Sequence, residues 1–66
     1  MTNRINVAVN AETVKALRAM CDREGVSLTE AARRLIGYGD VLYAAKVAGT
    51  QVLLVDGEKT REVIVL

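Results

Sequence analysis

The sequence predicts a mainly helical chain with short strands, and one that works in pairs. A short alternating strand, Arg4-Ile5-Asn6-Val7-Ala8-Val9, leads straight into two capped helices, and no partner strand follows it closely. A lone strand cannot satisfy its own backbone N–H and C=O groups, so something must pair with it. The same strand of a second copy is the expected partner. Size points the same way. A chain of 66 residues buries too little surface to be comfortably stable alone, and oligomerisation is a usual remedy. It is also 52% hydrophobic, which is high for so small a monomer, so part of that apolar surface is expected to meet another subunit.

The elements follow in order. In the first strand Ile5, Val7 and Val9 alternate with Arg4, Asn6 and Ala8, so the aliphatic set shares one face and the other set the opposite face. Asn10 is a good N-cap, and Glu12 in the next turn suits the helix dipole. A helix is predicted from about Ala11 to Glu24, with Val14, Leu17, Met20 and Cys21 on one buried stripe. Gly25 supplies a left-handed end. Ser27 and Glu30 then form a capping box that opens a second helix.

That helix is expected to run to about Val47. Gly37 and Gly39 each cost on the order of 1 kcal/mol inside a helix, but the apolar spacing continues through Val41, Leu42, Ala44 and Ala45. A break at either glycine is the alternative. After Gly49, two apolar runs flank Asp56-Gly57-Glu58-Lys59 and read as a β-hairpin. Pairing Val55 with Thr60 sets Val52 opposite Val63 and is preferred on packing grounds. A two-residue Asp-Gly turn would set Val52 opposite Arg61 instead. The expected organisation is residues 1–49 as one domain and residues 50–66 as a hairpin packed on the dimer.

Composition narrows the function classes. Cys21 is the only cysteine, so no intrachain disulfide forms and a cytoplasmic protein is expected. Cys21 sits on the apolar stripe and reads as a core residue. No apolar run approaches the roughly 18 residues of a membrane span, and the first residues lack the apolar core of a signal peptide. There is no His and no glycine loop for phosphate, so neither an enzyme nor a bound cofactor or metal is expected. Nine Lys/Arg oppose eight Asp/Glu, a net charge of +1. Through Arg34 the balance is six basic to four acidic, and beyond it three to four. The basic excess is therefore mild and lies in the first half.

The stretch Arg4–Ile36 resembles the ribbon-helix-helix family of the Arc, MetJ and CopG repressors. The residues that carry the likeness are the strand through Asn10, the helix with Val14, Leu17 and Met20, the turn Gly25-Val26-Ser27, and Leu28-Thr29-Glu30-Ala31-Ala32. The resemblance covers about half of the chain. It implies a ribbon-helix-helix homodimer, in which two strands pair antiparallel across a dyad and the ribbon enters the major groove of double-stranded DNA. The outward residues Arg4, Asn6 and Ala8 would then read bases. Arg4 can pair with guanine O6 and N7, Asn6 with adenine N6 and N7, and Ala8 can touch a thymine methyl. The family often has a polar residue where Ala8 stands, a departure that implies weaker specificity. The resemblance also assigns a phosphate to the start of the second helix, at Ser27, Leu28 and Thr29.

The function implied is a dimeric sequence-specific DNA-binding protein, a transcriptional repressor that can occupy DNA as adjacent dimers. A plasmid-partition or copy-control role would use the same ribbon. An antitoxin is a second reading, disfavoured because residues 50–66 look like a patterned hairpin and not a toxin-wrapping tail. A third is a protein-interaction or assembly module that works through the hairpin, which is apolar on both faces. On the fold side, the bland alternative is a monomer whose N-terminal strand joins the hairpin in a three-stranded sheet. Arg4 and Asn6 would then be ordinary solvated residues.

Overall fold

The structure, a computed structural model, describes residues 3–66. Residues 1 and 2 of the first expected domain lie outside the described residues. The order of elements is α1 (Ala11–Glu24), α2 (Leu28–Ala48), β1 (Val52–Asp56) and β2 (Lys59–Val63). Residues 3–10 carry no regular secondary structure. The chain divides into two units, one up to Ala32 and one of Arg33–Leu66.

This order corrects the ribbon-helix-helix expectation. The strands follow the helices instead of preceding them, and they pair with each other within one chain. Arg4–Val9 is not a strand, and the sheet has the two strands of the hairpin only. The three-stranded alternative therefore fails as well. The physical reason lies in loop closure. Alternation of Ile5, Val7 and Val9 specifies faces but supplies no partner, and isolated strand backbone has nothing to bond. The two runs of the hairpin are held together by a two-residue turn, so their pairing costs little chain entropy.

In the first unit, α1 has the bounds that its caps dictate. Asn10 is extended (φ −81°, ψ 173°), and its Oδ1 accepts from the Thr13 N–H and from Thr13 Oγ1, both at 2.9 Å. Gly25 ends the helix at φ 65°, and its N–H donates to the Cys21 carbonyl at 2.9 Å. Ser27 opens α2, with its Oγ accepting from the Glu30 N–H at 3.1 Å and its carbonyl from the Ala31 N–H at 2.9 Å. Val14, Leu17, Met20 and Cys21 are half-buried along one stripe of α1, and Val26 joins them. Ala31 is the one fully buried hydrophobic among the described residues.

In the second unit, α2 runs unbroken through Gly37 and Gly39. Its end is a Schellman motif. The Gly49 N–H donates to the Lys46 carbonyl at 3.1 Å and the Thr50 N–H to the Ala45 carbonyl at 2.9 Å, with Gly49 at φ 71°. These bonds satisfy carbonyls that the helix leaves open. The hairpin takes the preferred register, with Val52 opposite Val63 and Val55 opposite Thr60. Pairing extends one step further, to Asp56 opposite Lys59, so the loop is the two residues Gly57 and Glu58. Gly57 has φ 59° and no non-glycine residue among the described residues has positive φ, the pattern of a type II′ turn.

The half-buried residues of this unit include Leu35, Leu42 and Ala45 on one face of α2, and Val52, Val63 and Val65 on one face of the hairpin. Much of the rest is open. Ile36, Tyr43 and Val47 recur at helical spacing as a second apolar stripe, and they are 71%, 61% and 70% exposed. Tyr38 and Val41 are also exposed, Tyr38 on the same face as Leu42 and Ala45 and Val41 at its edge. Residues 35–48 carry only two charges, Asp40 and Lys46. A helix that is apolar on most of its sides is normally a covered one.

Candidate nucleic-acid interface

The six residues assigned to DNA all lie in the first unit. Arg4, Asn6 and Ala8 are exposed in the irregular segment before α1. With them, Ile5 and Val7 stay almost fully accessible at 83% and 70%, while Val9 falls to 47%. Val9 lines a groove with Val14, Leu17 and Cys21 of α1 and with Leu28.

Ser27, Leu28 and Thr29 are also exposed, at the start of α2. The Ser27 hydroxyl is committed to capping by its bond from the Glu30 N–H. Helix geometry leaves the Leu28 and Thr29 amides without an intrahelical acceptor. They sit at the positive end of a 21-residue helix, where an anion is favoured. The Thr29 hydroxyl adds a potential donor beside them. Glu30 stands in the same turn, and its charge offsets part of the dipole's attraction. Glu30, Arg33 and Arg34 each engage another group, so the two arginines are not spare cations.

Two further features bear on chemistry. Cys21 is a free thiol, half-buried on the α1 stripe and not fully within a core. Among the described residues, no group of three His, Cys, Asp or Glu side chains is placed to hold a metal ion. No helix of the described residues is long and apolar enough to cross a membrane. Tyr38 and Tyr43 are 57% and 61% exposed in the single chain.

No protein-family model matches the chain, and neither does any curated protein or solved structure.

The sequence reading understated how much apolar surface this chain leaves open. In the second unit Ile36, Tyr43, Val47, Val55 and Ile64 are each more than half exposed. The signal was present in the sequence, as the near absence of charge over residues 35–48 and over β1.

Proposed function

We propose that the protein is a self-associating, sequence-specific DNA-binding protein that acts in the cytoplasm as a transcriptional repressor. The observation that carries this reading is the pairing of two kinds of contact in one unit. Arg4 and Asn6 lie on an exposed, irregular segment, with the donor and acceptor sets that read guanine and adenine. The exposed start of α2 offers the Leu28 and Thr29 amides to a phosphate. Phosphate contacts of this kind fix position, and base contacts give specificity. The reading requires no paired strand at the N-terminus. The bidentate contacts of Arg4 and Asn6 need only a segment that reaches the major groove, where guanine O6 and N7 and adenine N6 and N7 are exposed.

The test is fluorescence anisotropy with a pool of random duplexes at low and at moderate salt, followed by selection of the tightest sequences. The expected result is binding that weakens as salt rises. On the selected duplexes Arg4→Ala should cost about 1–3 kcal/mol and relax preference at one base pair. Wild-type affinity and preference for both Arg4→Ala and Asn6→Ala would sink this reading. The specific support for the competing reading, a protein-assembly module, is the exposed apolar stripe of Ile36, Tyr43 and Val47 in the second unit. A protein that self-associates and ignores DNA at low salt would be that module.

A further inference from the structure

The two edges of the hairpin differ in kind. β2 carries Lys59, Arg61 and Glu62, and β1 reads Val52-Leu53-Leu54-Val55 before Asp56. Charged side chains are the usual protection of a strand that ends a sheet. A run that is apolar on both faces is the mark of a strand inside one. In the single chain β1 is nevertheless an edge, because the sheet has two strands. Its outward faces are open, with Leu53, Leu54 and Val55 exposed at 48%, 52% and 68%.

The hairpin register also fixes which backbone groups are free. A two-residue turn closes on a hydrogen-bonded pair, here Asp56 and Lys59, and bonded and non-bonded pairs alternate from there. Leu54–Arg61 and Val52–Val63 are then bonded pairs. The N–H and C=O groups of Leu53 and Val55 point away from β2, towards the open edge. On the other side, those of Thr60 and Glu62 point outward in the same way.

We propose that β1 pairs with β1 of a second copy, antiparallel across a two-fold axis, to give a four-stranded sheet ordered β2-β1-β1-β2. Two observations select a second copy as the occupant. A two-fold contact must be self-complementary, and β1 meets that demand. With Leu53 opposite the partner's Leu53, Val52 faces the partner's Leu54 and no charged residues oppose each other. β2 fails it. Pairing its charged stretch with its own copy sets Arg61 against the partner's Arg61 or the partner's Lys59, or Glu62 against the partner's Glu62. The sheet so formed ends on the two charged strands.

The experiment uses the full chain without DNA, so its outcome is independent of the DNA-binding reading. Val55→Pro and Thr60→Pro are made at directly opposed positions, and each removes one outward N–H that the hairpin does not use. Sedimentation equilibrium gives the mass, and far-UV circular dichroism confirms that the helices persist. The expected result is a monomer for Val55→Pro and a dimer for Thr60→Pro. A dimeric Val55→Pro protein overturns the proposal. If both variants lose the dimer, amide hydrogen exchange on the wild-type protein decides. Leu53 and Val55 amides should be protected as well as that of Leu54 at high concentration, and lose that protection on dilution. Free exchange at both amides in the dimer overturns the proposal. So does protection that persists on dilution, which would place another segment of the same chain on that edge.

Discussion

If a second copy completes this fold, its melting temperature must depend on protein concentration. The perturbation is dilution. For a folded dimer that melts to two unfolded chains, each tenfold rise in concentration adds about 1.4 kcal/mol to the stability of the dimer. Two chains of 66 residues give a melting enthalpy of about 90 kcal/mol near 60 °C. The corresponding entropy is about 280 cal/mol/K, so the melting temperature should rise by about 5 °C per tenfold increase. Across a hundredfold range the shift is about 10 °C. Circular dichroism in long- and short-path cells, or differential scanning fluorimetry, reads it directly. A melting temperature constant within 1–2 °C across that range, against the roughly 10 °C expected, would refute the pairing of two copies. It would mean that Ala31 and the half-buried stripes hold the chain together unaided.

Two local predictions follow from the caps and the glycines. Asn10→Ala removes the acceptor for both the Thr13 N–H and Thr13 Oγ1, and chemical denaturation should show a loss of about 1 kcal/mol. Gly49→Ala and Gly37→Ala should move stability in opposite directions. Gly49 is left-handed at φ 71°, where a side chain costs about 1–2 kcal/mol. Gly37 is within α2 with open space around an added Cβ in the single chain, so alanine there should stabilise by about 0.5–1 kcal/mol. Destabilisation at Gly37 would instead mark it as a place where another copy approaches closely.

The parts of the fold that were legible in the sequence are those fixed by neighbours along the chain. Asn10, Gly25, Ser27 and Gly49 set the ends of both helices through bonds to residues no more than five positions away. The hairpin register followed from packing Val52 against Val63. The loop proved tighter than expected because Asp56 and Lys59 also pair. The N-terminal strand was not legible in the same way. Ile5, Val7 and Val9 encode a face, and a face becomes a strand only when another backbone lies alongside it. Of the candidate site, the exposure of Arg4, Asn6 and the start of α2 was legible. The contrast between the edges of β1 and β2 was present in the residues, but it gains meaning only once the register shows which backbone groups are free.

If the protein reads DNA as proposed, self-association raises its discrimination. A single copy would then offer Arg4 and Asn6 to base edges. Each good bidentate pair discriminates by about 1–3 kcal/mol, so one copy reaches about 2–6 kcal/mol. Site-specific proteins separate their targets from other DNA by about 4–10 kcal/mol. Two copies on one duplex bring the total to about 4–12 kcal/mol, which spans that range. They also double the basic excess of the first half, six basic to four acidic residues per chain through Arg34. Ala8 adds no hydrogen bond, so one chain reaches at most the lower part of that range. A protein that associates without reading DNA is physically coherent, and its apolar second unit would be its working surface. A second copy is what would carry the discrimination from the lower part of the range across the whole of it.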